Sequence, residues 1–217
     1  MTRACHGSRM AKCRNRWRRG RRREKIRAMA ELTRVVDELA GRLIRLRWLE
    51  PADVDVIREG DRDSDGSRRA GSTHLPYPAF AQRKWWEEDL AKPVEDDSAH
   101  LAIETLDGVV VGTIGVARPD RRNGVFGYGI RILAPHGRNG YGTEAVILLL
   151  RFYFAELRYQ KCDTVVYAFN DASLEFHGRL GFQVEGRRRR GVFTQGFYLD
   201  VVLVGRTREE FAERLGL

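Results

Sequence analysis

Along the chain, stretches with the two-residue period of a half-buried strand alternate with stretches that repeat apolar positions at helical spacing. "RLIRLRWLE" (42–50) alternates like a strand, and Pro51 opens a short helical stretch that runs to Arg58. Residues 60–78, "GDRDSDGSRRAGSTHLPYP", are polar and rich in turn formers, which predicts an exposed loop of a length that often carries function. "AFAQRKWWEEDLAK" (79–92) predicts an amphipathic helix bearing Trp85 and Trp86. Three strands follow, "HLAIETL" (100–106), "VVVGTIGVA" (109–117) and "VFGYGIRIL" (125–133), and their short connections predict an antiparallel meander. The apolar run "TEAVILLLRFYFAELRY" (143–159) predicts a helix, "DTVVYAF" (163–169) a strand and "ASLEFHGRL" (172–180) a helix. Two last strands, "FQVEGRRR" (182–189) and "FYLDVVLVG" (197–205), precede a short helix, "REEFAERL" (208–215). There is no internal repeat, and the order β-α-α-β-β-β-α-β-α-β-β predicts one α/β (α+β) domain with a mixed sheet.

Composition changes this picture at one end only. A chain of 217 residues with 42% hydrophobic content is long enough for one core and short for two. Its formal charge of +9 is unevenly placed: residues 1–28 hold 12 Lys/Arg against a single acid, Glu24, while residues 29–217 hold 27 against 29. The basic character therefore belongs to a tail, 1–28, with too few apolar residues to bury and too much like charge to collapse. Residues 29–217 make the domain, and Met29 could be its true start. Nucleic acid is expected as a partner only through the tail. No apolar run suits a secretory signal or a membrane span, so no membrane partner is expected. Cys5 and Cys13 lie in the tail and Cys162 is alone in the domain, so no metal site and no disulfide framework is expected, and a reducing, cytoplasmic setting fits.

The candidate chemistry sits in "HGRNGYGTEA" (136–145), just before the longest apolar run. Gly140 and Gly142 let backbone N–H groups turn toward one point, and the helix that follows adds its own unpaired donors, an arrangement suited to a phosphate. A plain strand-to-helix turn is the alternative. "GYGTEA" also fits the dinucleotide pattern G-x-G-x-x-A, but five residues, Pro135 to Asn139, separate it from the preceding strand. The acid about 20 residues on, Asp163, starts the next strand rather than ending it.

Strand, short loop, "GYGTEA", helix, strand, then Asn170 with "ASLEFHGRLGF" resembles the GNAT superfamily of acetyl-CoA-dependent N-acetyltransferases, in particular its RimJ/RimL-like branch. The resemblance covers roughly residues 43–212 and includes "LGFQVEG" (180–186) and the later spacing of Gly196, Asp200 and Glu210-Phe211. It implies a mostly antiparallel central sheet flanked by helices, with a strand splayed at the cofactor site. It implies that Arg138, Asn139, Gly140, Tyr141, Gly142 and Thr143 bind the pyrophosphate, and that Ile132 and Leu133 pair with the pantetheine arm. Asn170 and Ser173 would contact the same arm, with a helix cap as the alternative for Asn170. Gly137 departs from the pattern, since the family carries a Gln or Arg side chain there.

The implied reaction is direct acetyl transfer in a ternary complex, from acetyl-CoA to a small-molecule amine or a peptide N-terminus. It needs a neutral nucleophile and a proton for the leaving thiolate. Many members place a tyrosine acid seven residues beyond the asparagine, where this chain has His177, whose imidazole titrates near neutrality. For a general base the candidates are Tyr128, by family analogy, Glu104 and a water chain, with structural roles as the alternative for both residues. Trp85, Trp86 and the loop His74 to Pro78 are expected to wall the acceptor site, with a core position as the alternative for the tryptophan pair. Arg187 to Arg190 hint at an acidic or phosphorylated acceptor, or else form a solvated hairpin. A homodimer is left open. The rival reading is a degenerate acyl-CoA-binding or regulatory module tethered to nucleic acid by the tail.

Overall fold

A computed structural model describes residues 38–61, 64–69, 78–91, 96–117 and 119–215. The basic tail and the loop residues His74 to Tyr77 lie outside the described residues. The chain divides into two compact units at Glu38/Leu39, and everything below concerns the second, Leu39–Leu217. Its strands are β1 (Ile44–Trp48), β2 (Ala99–Thr105), β3 (Val110–Val116), β4 (Val125–Phe126), β5 (Tyr128–Ile132), β6 (Lys161–Tyr167), β7 (Gln183–Thr194) and β8 (Phe197–Thr207). Its helices are α1 (Val54–Asp61), α2 (Ser64–Arg69), α3 (Ala79–Leu90), α4 (Tyr141–Ala155), α5 (Asp171–Arg179) and α6 (Arg208–Leu215). Among the described residues no helix is long and apolar enough to cross a membrane.

The strands form two four-stranded halves, β1-β2-β3-β5 and β4-β6-β8-β7. Among the described residues one ladder is parallel, β4 with β6, and the others are antiparallel. α4 buries Ala145, Val146, Leu148, Leu149, Leu150, Tyr153 and Phe154, and joins Ile44, Leu101, Ile103, Ile114 and Phe126 in the main core. The apolar run that predicted this helix is its buried surface. A smaller cluster of Leu49, Ile57 and Ala102 takes Trp86 and Leu90 against it, so α1 and α3 pack on the β2 face that carries Ala102. The β7–β8 hairpin turns at Gln195-Gly196, both with positive φ (52° and 87°), the two-residue geometry that matches the twist of the paired strands.

Two expectations change. Residues 60–78 do not form one long loop: α1 continues to Asp61 and α2 follows at Ser64, with Ser67 buried. The six residues of α2, SDGSRR, have no apolar period to announce a helix. Their acid stands in the first turn and their arginines in the last, complementing the helix dipole, and Arg69 pairs with Asp65 at 2.7 Å. The stretch 125–133 is likewise not one strand, because Gly127 divides it.

Candidate active site

The division at Gly127 builds the site. Before it, Val125 and Phe126 pair with Lys161 and Cys162; after it, Tyr128 to Ile132 pair with β3 instead. A side chain at Gly127 would place its Cβ 2.5 Å from the Asp163 carbonyl oxygen, so only glycine lets the backbones meet at this vertex. One link lies just beyond it, the Thr164 hydroxyl donating to the Tyr128 carbonyl at 2.8 Å. From there β5 and β6 diverge around a cavity of about 550 Å³, walled by Tyr128 to Ile132, Thr164 to Tyr167, Gly142 of α4, Asn170, and Ala172, Ser173, Phe176 and His177 of α5. Gly66 and Arg69 of α2 add to the wall, a contribution that sequence reading missed.

The ladder with β3 decides which backbone groups of β5 face this gap. The Leu133 N–H donates to Val111 at 2.9 Å, and antiparallel alternation then turns Ile132 and Ile130 away from β3, as the Tyr128 carbonyl is. Leu133 therefore does not offer a free N–H as expected; its carbonyl accepts from His136 and its side chain is buried. Ile130 stands in its place.

At the open end, a 3₁₀ turn (Ala134–His136) leads to α4 through Arg138 (φ +66°) and Gly140 (φ +84°). Gly140 gives the helix no side-chain cap, and the first intrahelical bond runs from Glu144 N–H to the Gly140 carbonyl at 3.1 Å. The N–H groups of Tyr141, Gly142 and Thr143 precede that bond, as a helix N-terminus leaves them for a ligand. Arg138, Asn139 and Gly140 are exposed between two wall residues, Ala134 and Gly142. Glu144, not singled out from the sequence, accepts the N–H groups of Arg42, Leu43 and Ile44 at 2.7, 2.7 and 2.9 Å and ties the edge of β1 to this helix. Its signal was a carboxylate in the first turn of a helix.

On the opposite wall Asn170 caps α5, its Oδ1 accepting the Ser173 N–H at 3.2 Å while its Nδ2 donates to the Arg69 carbonyl at 3.5 Å. His177 is buried on the same helix. Its ring stacks on Tyr128 (5.8 Å, 26°) and meets Phe176 and Phe182 edge-on (5.2 Å each). Nδ1 lies 2.8 Å from the Ser173 carbonyl oxygen, which can only accept, so Nδ1 carries the proton of the neutral ring and Nε2 holds a bare lone pair. Nε2 is buried without a hydrogen-bond partner among the described residues. Burial pushes the imidazole below the usual histidine value, with the Ser173 bond opposing it.

Other candidates fall elsewhere. Burial holds the Tyr128 phenol well above the ordinary tyrosine value, and its hydroxyl is buried without a hydrogen-bond partner among the described residues. Glu104 lines neither this cavity nor a second one described below. Burial would raise its carboxyl, but hydrogen bonds from Arg47 (2.9 Å) and Arg45 outweigh that and hold it below the usual range. It is a structural ion-pair centre that Arg47 extends to Asp53. Trp86 packs in the smaller cluster against His100 and Trp85 is exposed, so neither walls the cavities as expected; Pro78 is exposed too.

The site is thus a sheet split at a glycine vertex, with a helix N-terminus at the open end of the gap. Residues 43–183 match the family model of the acetyltransferase (GNAT) domain, and the chain belongs to that family as a GNAT-type acyltransferase. The SPbeta prophage-derived uncharacterized N-acetyltransferase YokL of Bacillus subtilis (strain 168) is 39% identical over 171 residues, which cover 79% of this chain and 93% of that protein. The spermidine N(1)-acetyltransferase of Escherichia coli (strain K12) is 24% identical over 160 residues, 73% of this chain and 83% of that protein. The structure of spermidine N-acetyltransferase from Vibrio cholerae in complex with CoA and spermine shares the fold, with a TM-score of 0.69 at 16% identity over 77% of this chain and 97% of that one.

Proposed function

We propose that this chain, a member of the RimJ/RimL-like branch, moves an acetyl group from acetyl-CoA to a primary amine, a small molecule or a peptide N-terminus, by direct transfer in a ternary complex. The observation that carries the reading is the gap between β5 and β6, which offers unpaired strand edges along its length and helix N–H donors at its open end. An extended pantetheine arm needs the first and a pyrophosphate the second. Acetyl-CoA, as donor substrate, supplies an activated thioester. Ile130 and Ile132 hold the arm through their backbone, with Asn170 and Ser173 across from them. Tyr141, Gly142 and Thr143 give N–H groups to the pyrophosphate, Gly140 provides the turn, and Arg138 and Asn139 flank it.

His177 handles the proton. Neutral near pH 7, it serves the departing sulfur as an acid only after taking a proton at Nε2, and the attacking amine has one to lose. The nitrogen–carbon bond forms, the carbon–sulfur bond breaks, and the proton passes from nitrogen through Nε2 to sulfur. Tyr128 supports the ring by stacking. The test is a panel of amines with acetyl-CoA, read by thiol release and by mass of the product. Release that depends on both substrates is expected. Acetyl-CoA binding without release for any amine would instead favour the acyl-CoA-binding module.

A further inference from the structure

A second cavity, of about 470 Å³, shares Tyr128, Gly129, Thr164 and Val165 with the first, so the two lie back to back across the gap. None of its wall residues comes from a helix; it is built from strands and their ends, with Gly115, Gly127 and Gly129 leaving room. Three charged residues line it, Asp163, Glu185 and Arg188, and their commitments differ. Glu185 is taken: Lys161 donates to it at 2.7 Å, and its carboxylate lies over Gly205, where a side chain would displace it. The neighbouring arginines of β7 are occupied or absent from the wall. Arg187 donates to Asp200 at 2.6 Å, Arg190 lies over the Tyr198 ring at 4.9 Å, and Arg189 does not line the cavity. That leaves one exposed carboxylate, Asp163, and one exposed guanidinium, Arg188, neither with a hydrogen-bond or ion-pair partner among the described residues.

Resting on the acetyl-transfer reading above, we propose that this cavity takes the acceptor, and that the acceptor is an amine that also bears an acidic group, as an α-amino acid does. A single cation and a single anion on one wall complement such a zwitterion: Asp163 receives the ammonium, which attacks as the neutral amine once one proton has passed to solvent, and Arg188 binds the acid, in the forked geometry a guanidinium offers a carboxylate. A polycation would find one uncommitted carboxylate and be repelled by Arg188. The wall shared with the first cavity brings the amine nitrogen toward the thioester.

The test compares L-phenylalanine with its isosteric amide, L-phenylalaninamide, which lacks the carboxylate. Calorimetry with the CoA-saturated protein reads binding, and kcat/KM reads turnover. The wild type should prefer the acid at least tenfold, Arg188→Ala should erase the preference, and Arg188→Lys should restore part of it. Asp163→Asn should weaken binding of both amines about equally, and Arg189→Ala should leave the preference intact. Equal binding of acid and amide by the wild type, stronger binding of spermidine, or equal effects of Arg188→Ala and Arg189→Ala would each overturn the proposal. Because binding is measured without acetyl transfer, a protein that turns over no amine would remove the proposed function while calorimetry still decides the character of this cavity.

Discussion

The two ends of the β5–β6 gap are built on opposite terms. At the vertex everything is packed: Gly127 is pressed against the Asp163 backbone, Thr164 bridges to Tyr128, and His177 is enclosed by three aromatic rings. At the mouth, Arg138 to Gly140 are exposed, two of these residues have positive φ, and the helix N-terminus lacks a side-chain cap. Both ends need a glycine, for different reasons. A Cβ on Gly127 would meet backbone, which cannot yield, whereas a Cβ on Gly142 would approach only the Ile132 and Phe176 side chains, at 3.3 and 3.7 Å. The vertex glycine answers to the fold, and in the function proposed above the mouth glycine answers to the ligand. Burial at the vertex makes the environment in which an imidazole is held neutral; exposure at the mouth suits the multiply charged nucleotide of the proposed donor.

This contrast is sharpened most by His177→Phe. A flat aromatic ring is kept, though it is larger and loses the Nδ1 bond to Ser173, so acetyl-CoA affinity should change little and the melting temperature should fall modestly while kcat falls roughly tenfold to a thousandfold, up to the range for a lost proton-transfer group. His177→Tyr should recover part of the rate. Equal turnover of His177→Phe and wild type with one saturating amine would reduce His177 to packing. Gly127→Ala should come next: overpacking against backbone costs about 1–3 kcal/mol or more, read as a lower urea midpoint, and lost activity should track lost folded protein. Gly142→Val should do the reverse. Its acetyl-CoA affinity should drop by about a hundredfold, equivalent to about 2.7 kcal/mol, while the urea midpoint moves far less. Wild-type affinity in a folded Gly142→Val protein would move the phosphate site elsewhere.

The smallest effect is in pH. The native His177 titrates below the unfolded value of 6.5, so above that pH it contributes no slope. As pH falls below it, the unfolded chain binds a proton that the native ring refuses, and stability drops by up to about 1.4 kcal/mol per unit until the native ring is protonated. Urea midpoints between pH 5 and 7.5 should show this fall in the wild type and less of it in His177→Phe. Identical profiles would mean that the ring is not held neutral by burial.

The mouth of the site was legible in the sequence because its physics is local. Three glycines before an apolar run announce a turn into a helix, and Asn170 three residues before Ser173 announces a cap, whatever the rest of the chain does. The vertex was not legible, since "VFGYGIRIL" alternates well enough for one strand and nothing within it says that its two parts choose different partners. The misplaced tryptophans have the same origin: a pair on an amphipathic helix indicates burial but not the surface it is buried against. The ion pairs of Glu104 were not legible because its partners, Arg45 and Arg47, lie nearly sixty residues earlier and meet it only when β1 pairs with β2.

By itself, then, the sequence determined the order of strands and helices apart from α2 and the break at Gly127, together with the glycine turn into α4 and the cap of α5. Each follows from the spacing of side chains over a few residues and from the backbone preferences of glycine, asparagine and proline. Tertiary structure decided where the meander's last strand breaks, which backbone groups of β5 face the gap and which nitrogen of His177 carries the proton. It also decided which of the four arginines of β7 stays uncommitted on a cavity wall. These choices depend on hydrogen-bond partners and on burial, and both are settled between segments distant in the chain, where no local period reaches.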